Sequence, residues 1–183
     1  MGNPDTREIV QMDLANRIFF RLYQCANMLH KTGTRAVEEQ GLTTQQWAVL
    51  GALSRPEAQD GMSVGDLARY LMVSRQNLSG LLSRMERDGH LANAPDGRDR
   101  RSRRITMTAS GRHVWLHEAQ PNIRRYYAQA LADFSVGDMA HTLHYLLKLL
   151  DNMQRLDQEG APSAEEDGAL GEAEVASPPH THG

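Results

Sequence analysis

The segment 63–89 constrains the fold most, because it starts two helices in close succession. Ser63 and Ser74 each stand before a helical pattern, and a serine hydroxyl in that place accepts a hydrogen bond from a free amide of the first turn. Gly89 follows the last turn, where a left-handed residue is expected to end the second helix. Two short helices joined by a tight turn predict a helix-turn-helix. The second helix has apolar residues at helical spacing that predict its buried face, namely Leu78, Leu81, Leu82 and Met85.

The opposite face of the second helix carries small and polar side chains that suit contact with DNA. A helix-turn-helix places the start of its second helix in the major groove, and Arg75, Gln76 and Asn77 lie at that start. Arginine can pair with guanine through two donors, and glutamine or asparagine can pair with adenine. Arg84, farther along, suits a phosphate contact, which fixes register without reading sequence. The predicted DNA contacts of the two helices are Ser63, Ser74, Arg75, Gln76, Asn77, Ser79 and Arg84.

A basic hairpin is predicted after the second helix. Residues 91–94 have a strand pattern, 95–97 a turn signal, and 103–107 alternate between polar and apolar side chains. Between residues 69 and 104 there are nine arginines against four acids, an excess of positive charge that suits a polyanion. The hairpin makes the motif a winged helix-turn-helix, whose tip can insert an arginine into a narrow minor groove. The arginines of the tip are Arg98, Arg100 and Arg101.

Long apolar helices are predicted near both ends of the folded part. A helix over about 7–39 places Leu14, Ile18 and Leu22 on one face. The apolar face of this helix is too long for one short helix to bury, so we expect a partner subunit. A last helix, over about 136–156, has leucine and methionine at the same helical spacing.

Two further helix starts complete the prediction of fold class. Thr43-Thr-Gln-Gln46 is typical of a capping box. Thr108 is the expected N-cap of a helix that runs to about Phe134 and that Pro121 would kink. The sequence therefore predicts a mainly α protein with six helices and a small β-wing.

The net charge of −3 is distributed unevenly over the 183 residues. Seven of the 23 acidic residues lie in 157–183, which has no lysine or arginine, so 1–156 carries 20 basic against 16 acidic residues. We expect a folded domain over 1–156 and an acidic, disordered tail over 157–183. Within the domain, the DNA-binding part is predicted over about 43–108, and the helices for subunit association over about 7–39 and 109–156.

Composition excludes several classes of protein. No apolar stretch approaches the roughly 20 residues of a membrane helix, and the polar start is unlike a signal peptide, so we expect a cytoplasmic protein with no membrane partner. The single cysteine, Cys25, cannot form an internal disulfide. No Gly-rich phosphate loop, nucleophile elbow or pair of carboxylates indicates catalysis, so we expect neither an enzyme nor a cofactor.

Four stretches of the chain and the tip of the hairpin carry a family resemblance. The tip has the pattern D-x-R-D-x-R, formed by Asp96, Arg98, Asp99 and Arg101. The four stretches are Ser63-Val-Gly-Asp-Leu-Ala-Arg69, Val73-Ser-Arg-Gln-Asn-Leu78, Leu82-Ser-Arg-Met-Glu-Arg-Asp-Gly-His-Leu91 and Ile105-Thr-Met-Thr-Ala-Ser-Gly111. In these motifs the chain resembles the MarR family of transcriptional regulators over about 1–156.

The resemblance implies a homodimer formed through the N- and C-terminal helices, with two winged lobes on a pseudo-palindromic operator in double-stranded DNA. It implies that Arg101 or a neighbouring wing arginine, such as Arg98 or Arg100, enters the minor groove while Asp99 braces the wing. It also implies repression that a small-molecule effector relieves.

Family members commonly bind aromatic acids in a cleft between the first, second and fifth helices. Residues 74–78 are similar to those of members that control aromatic-acid catabolism, some of which bind aromatic acyl-CoA thioesters. We therefore expect a repressor that a small aromatic acid or an aromatic acyl-CoA thioester releases from DNA. Trp47 and its neighbours could equally be core residues. The predicted ligand contacts are Arg21, Tyr23, Asn27, Trp47, Arg112, His113 and Leu116. The cations available for the phosphates of a thioester are Arg17, Arg21, Arg112, Arg124 and Arg125.

Three alternatives stay open at this stage. Some relatives sense peroxides through a cysteine of the first helix, but Phe19 stands in that place here, and Cys25 shares an apolar face that would keep it inert. Paired histidines at 113 and 117, and at 141 and 144, have metal-ligand spacing, yet no cysteine or acidic cluster completes either site, so we predict no metal. A third alternative is an interaction module that does not bind DNA and uses the acidic tail.

Overall fold

The computed structural model describes residues 6–95 and 103–159. These residues form six helices and one antiparallel hairpin, which confirms the predicted mainly α fold with a small β-wing. Short 3₁₀ turns follow the first helix at Glu38–Gln40 and the second at Pro56–Ala58. The main elements are α1 (Thr6–Val37), α2 (Thr44–Leu53), α3 (Val64–Leu71), α4 (Arg75–Arg87), β1 (Leu91–Pro95), β2 (Arg103–Met107), α5 (109–130) and α6 (Val136–Glu159).

The chain divides into two compact units, Met1–Ala132 and Asp133–Gly183. The first unit holds α1 to α5, the hairpin and the hydrophobic core. The second unit, as far as the structure describes it, consists of α6 and the residues that lead into it. The core of the first unit consists of buried apolar residues of α2 to α5 and the hairpin, among them both tryptophans, together with Val37 at the end of α1 and Leu42 before α2.

Side-chain caps set the starts of the helices. Thr43 and Gln46 form the predicted capping box: the Gln46 amide donates to Thr43 Oγ1 at 3.3 Å, and the Thr43 amide donates to Gln46 Oε1 at 2.8 Å. Ser63 and Ser74 cap α3 and α4 as predicted, each hydroxyl accepting from the amide three residues on. Thr108 caps α5 in the same way.

The turn between α3 and α4 depends on Met72. Its backbone is left-handed, with φ 54° and ψ 44°, and its amide donates to the carbonyls of Ala68 and Arg69. Glycine is the usual residue in this conformation, because a Cβ is crowded there. The residue type of Met72 does not indicate this role, whereas the left-handed Gly89 after α4 is as predicted.

The hairpin is an antiparallel ladder in which Leu91 pairs with Met107 and Asn93 with Ile105. Ile105 is buried, and its backbone exchanges two hydrogen bonds with Met62, of 2.8 and 3.0 Å. The segment before α3 is thereby fastened to β2. These two hydrogen bonds tie the wing to the helix-turn-helix.

Two helix ends differ from the prediction. The helix expected to run to about Phe134 ends at Ala130, because Leu131 leaves the helical region (φ −113°, ψ 23°). It contains a π-helical turn at Val114–Ala119 just before Pro121, which lacks an amide hydrogen and lies in the first α-helical turn that follows. The last helix continues to Glu159, so the predicted tail over 157–183 begins as helix, and its remainder lies outside the described residues.

Candidate nucleic-acid interface

Helix α4 has two faces of opposite character. Leu78 and Met85 are 1% and 0% exposed and anchor the helix in the core together with Leu81 and Leu82. The opposite face is solvent-exposed, and it holds the predicted DNA contacts of this helix. Those residues are Ser74, Arg75, Gln76, Asn77, Ser79 and Arg84.

The start of α4 has a defined set of hydrogen bonds. Ser74 Oγ accepts from the Asn77 amide at 3.2 Å, which fixes the first turn. Ser79 Oγ donates to the Arg75 carbonyl at 2.7 Å, so its hydrogen is used within the helix and its oxygen is left to accept. The Arg75 guanidinium packs over Gly65 of α3, where an added Cβ would lie 3.1 Å from Arg75 Nη2. Gln76 and Asn77 are therefore the side chains of the first turn with amide groups left exposed for contact with bases.

Ser63 differs from the other predicted contacts because its hydroxyl serves α3. It donates to Asp66 Oδ2 at 2.6 Å and accepts from the Asp66 amide at 3.0 Å. Asp66 also forms an ion pair with Arg69. The Ser63 hydrogen bond first, and then the charge of Arg69, hold the pKa of the Asp66 carboxyl below its usual value. The negative charge of Asp66 thus offsets one of the arginines counted in this region.

Two other arginines of the basic region brace the wing. Arg103 donates from Nε and Nη2 to Oδ1 and the carbonyl of Asn93, both at 2.9 Å. Arg104 donates to the carbonyls of Asp60 and Gly61, before α3. Sequence reasoning counted both only as positive charge, because their partners lie on other elements. The predicted wing contacts Arg98, Asp99, Arg100 and Arg101 lie outside the described residues.

Trp47, the most prominent of the predicted ligand contacts, lies in the core. It is 8% exposed, and its ring packs against Tyr126 and Tyr127 with centroid distances of 6.0 and 5.7 Å. Gly33 of α1 makes room for it, since a Cβ there would lie 3.2 Å from the Trp47 ring. The core interpretation of Trp47 is thus the one that its contacts favour.

The other predicted ligand contacts lie on two helices. Arg21, Tyr23 and Asn27 are exposed on α1, where Arg21 donates to Gln24 at 2.8 Å. On α5, Arg112 donates to the Met107 carbonyl, His113 stands 3.6 Å from Glu118, and Leu116 is exposed. Arg21 and Tyr23 line a shallow groove on α1 itself. The two groups lie on different helices, and the cleft between them stays a prediction.

An apolar cavity that the sequence did not indicate lies beside the helix-turn-helix. It has a volume of about 280 Å³ and is bounded by the later part of α1, by α2, and by α3 and α4. Asn77, one of the predicted base contacts, lines it from α4. Its lining also includes Leu29, His30, Ala48, Leu71 and Leu81.

The structure also describes Cys25 and the histidines on which the redox and metal alternatives depend. Cys25 is exposed in the single chain, so the expectation of apolar surroundings is not met within one copy. His113 and His117 have ring centroids 5.0 Å apart. In the two described ranges, no three His, Cys, Asp or Glu side chains come together as a metal site requires. None of the helices in those ranges is both long and apolar enough to span a bilayer.

The fold and the exposed face of α4 define a winged helix-turn-helix protein of the DNA-binding class. Residues 40–102 match the model of the MarR family. Over 168 residues the chain is 71% identical to the transcriptional activatory protein BadR of Rhodopseudomonas palustris, covering 92% of this chain and 91% of that protein. The chain belongs to the MarR family of transcriptional regulators.

Two more distant comparisons agree with this assignment. The homoprotocatechuate degradative operon repressor of Escherichia coli is 33% identical over 110 residues, which cover 60% of this chain and 72% of that protein. The crystal structure of the M. tuberculosis transcriptional regulator MosR in complex with DNA aligns with a TM-score of 0.64 and 28% identity, over 75% of this chain and 96% of that chain. The relatives are regulators of transcription, as the sequence predicts for this chain.

Proposed function

We propose that the chain acts as a homodimer on a pseudo-palindromic operator and that a small aromatic acid, or its CoA thioester, releases it from DNA. The observation that carries this proposal is the division of α4, with Leu78 and Met85 in the core and Gln76 and Asn77 exposed on its first turn. A helix held so firmly on one side can present the other to a groove without rearrangement. The wing arginines would add phosphate and minor-groove contacts beside it.

Exposed apolar side chains support the homodimer. In α1, Phe20 is 61% exposed and Leu14 is 50% exposed, and in the second unit Leu143 is 57% exposed. Apolar surface on this scale, spread along two helices of 32 and 24 residues, is typical of an interface between subunits. A dimer holds two recognition helices about one turn of DNA apart, some 34 Å, so an effector that changes their separation weakens binding.

We place the effector in the apolar cavity beside the helix-turn-helix. Its volume of about 280 Å³ suits a single aromatic ring with a short acidic substituent. Leu29, Leu71 and Leu81 offer apolar contact, while His30 and Asn77 offer polar atoms. Because Asn77 lies on the DNA-reading turn of α4, a ligand in contact with it acts directly on base recognition.

The name of one relative supports the class of effector, since homoprotocatechuate is an aromatic acid. The relatives' names do not agree on whether the regulator activates or represses transcription. The relative at 71% identity is called an activatory protein and the one at 33% a repressor. Repression therefore stays a prediction, which a reporter gene downstream of the operator tests.

The test of the effector site uses a duplex selected in vitro from a random library and measures its affinity by fluorescence anisotropy, with and without benzoate or benzoyl-CoA. We expect Ala48→Leu, which fills the cavity, to abolish the effect of the effector. The matched control is Ala109→Leu at the exposed start of α5, which should keep it. Thermal shift gives an independent readout, because a ligand at 100 times its Kd stabilises by about 2.7 kcal/mol. Equal responses of the two variants would contradict this site.

A further inference from the structure

A second, polar groove lies between the later part of α1 and α5. Its volume is about 570 Å³, and none of the seven ligand contacts predicted for the cleft lines it, whereas Arg125, one of the cations expected for the phosphates of a thioester, does. The residues that line it include Thr32 and Arg35 from α1, Glu39 from the 3₁₀ turn that follows α1, and Asn122, Arg125 and Tyr126 from α5.

Two arginines face this groove without partners. Among residues 6–95 and 103–159, neither Arg35 nor Arg125 has a hydrogen bond or an ion pair, and both are exposed. The neighbouring Arg124 was also expected as a cation for the phosphates of a thioester, but it donates to Gln120 Oε1 at 2.9 Å and does not line the groove. Glu39 adds one carboxylate, so the lining has two guanidinium groups against one acid.

Two hydrogen bonds tie α5 to α1 and to the 3₁₀ turn that follows α1. The hydroxyl oxygens of Thr32 and Tyr126 lie 3.0 Å apart, and Asn122 Nδ2 donates to Gln40 Oε1 at 3.1 Å. The Tyr126 ring stands edge-on to Trp47 in the core, which fixes its orientation. The two free guanidinium groups are thus carried by helices that are already tied together, so a ligand would bind without rearranging the fold.

We infer that this groove binds the phosphate groups of an anionic ligand. Guanidinium groups pair with phosphate through two parallel hydrogen bonds, and two of them on facing helices suit a diphosphate. The Tyr126 ring and the Asn122 amide add a flat apolar wall and a polar contact for the organic part of the ligand. The ligand is either the CoA portion of the effector or a free phosphorylated compound.

The position of the groove favours the CoA portion, and in this respect the inference rests on the proposed function. The apolar cavity is lined by Leu29 and His30, and the groove begins at Thr32 on the same helix. With a rise of 1.5 Å per residue, His30 and Arg35 are about 8 Å apart along α1. The two positions are also about 140° apart around the helix, so a thioester that places its ring in the cavity and its phosphates in the groove has to pass around α1.

The experiment is isothermal titration calorimetry of the full chain at low salt with coenzyme A, pyrophosphate, benzoate and benzoyl-CoA. We expect coenzyme A to bind at least tenfold more weakly to Arg125→Gln and to Arg35→Gln. The matched control, Arg124→Gln, should bind it within twofold of the unchanged protein, and thermal melting verifies that all three variants fold. Tighter binding of benzoyl-CoA than of coenzyme A identifies the thioester as the source. Pyrophosphate binding as tight as coenzyme A identifies a free phosphorylated ligand.

Two results would overturn the inference: no binding of coenzyme A or pyrophosphate to the unchanged protein, or equal weakening in all three variants. A failure of the proposed function alone would give a different set of results. In that case coenzyme A still binds in an Arg125-dependent manner, while neither benzoate nor benzoyl-CoA changes affinity for DNA.

Discussion

The backbone of Gly111 lies directly against the carbonyl group of His90. A Cβ at position 111 would stand 2.1 Å from the His90 oxygen and 2.9 Å from its carbonyl carbon. The same oxygen accepts from the Thr108 amide at 3.1 Å, and the Thr108 hydroxyl donates to the Gly89 carbonyl at 2.6 Å. The end of α4 and the start of α5 are therefore joined through a backbone contact that admits no side chain.

We expect Gly111→Ala to destabilise the fold, because neither backbone segment can move aside without breaking the Thr108 bonds. Overpacking of this kind costs about 1–3 kcal/mol, measured as the free energy of unfolding in urea. The matched control is Gly137→Ala in α6, where the nearest atom to a new Cβ is Ser135 Oγ at 3.6 Å. The control should be neutral or slightly stabilising, and equal losses in the two variants would contradict the contact.

Gly80 leads to a prediction in which stability and binding change in opposite directions. It lies inside α4 on the exposed face, and a Cβ there would meet only the end of Arg84, at 3.9 Å. Gly80→Ala should stabilise the helix by about 1 kcal/mol, as alanine does in a helix interior. It should nevertheless weaken operator binding, because it adds a methyl group where the backbone approaches DNA. The control Ser83→Ala adds no bulk to the same face and should weaken operator binding less. An unchanged operator affinity in Gly80→Ala would show that this face does not approach DNA.

A pH-dependent effect is expected from Ser63 and Asp66. The folded-state pKa of Asp66 is lowered, first by the Ser63 hydroxyl and then by Arg69, so its stabilising contribution is present above the unfolded pKa of about 4 and is lost as pH falls through the folded value. Ser63→Ala should lower stability by about 1 kcal/mol at neutral pH, with a smaller loss near pH 2.

NMR titration of the carboxyl groups checks this directly. The pKa of Asp66 should rise towards its usual value in Ser63→Ala. Asp138, whose pKa is lowered by hydrogen bonds from Ser135 at the start of α6, serves as the internal control and should not move. An unchanged pKa of Asp66 in the variant would refute the assigned cause.

The parts of the fold that the sequence predicted are those set by local interactions. The alternation of buried and exposed residues along α4 and the caps Ser63, Ser74 and Thr108 depend on neighbours within a few positions. The left-handed Met72 was missed, because its residue type carries no signal for that conformation.

The parts that the sequence could not predict join distant positions. The Arg104 guanidinium donates to backbone carbonyls 43 and 44 residues earlier in the chain. It therefore braces the wing, a role that its position in the sequence does not indicate. The apolar cavity brings Leu29 and Leu81 to one lining, and the polar groove does the same for Arg35 and Arg125. No periodicity within either helix indicates such a juxtaposition. The sequence leaves Trp47 open as a ligand contact or a core residue, and only its burial and its contacts with Tyr126 and Tyr127 favour the core.

The homodimer can be tested on α6. Leu150, 40% exposed, lies on the apolar side of this helix, and Asn152 lies about 200° around the axis from it. Leu150→Glu should give a particle with the 20.5 kDa of one chain in analytical ultracentrifugation, and it should lose operator affinity. Asn152→Glu should stay dimeric. A dimer of unchanged mass in Leu150→Glu would mean that subunits meet elsewhere.

The central claim is that the exposed face of α4 reads bases, and Gln76→Ala tests it most directly. The measurement is the affinity for a selected operator and for a random duplex over a series of salt concentrations. If each lobe neutralises about four phosphates, log K should fall with log salt with a slope near −7 for the unchanged protein and the variant alike. We expect Gln76→Ala to lower the preference for the operator by roughly 1–3 kcal/mol while affinity for the random duplex stays the same. An equal loss on both duplexes, or an affinity that does not depend on salt, would contradict the account.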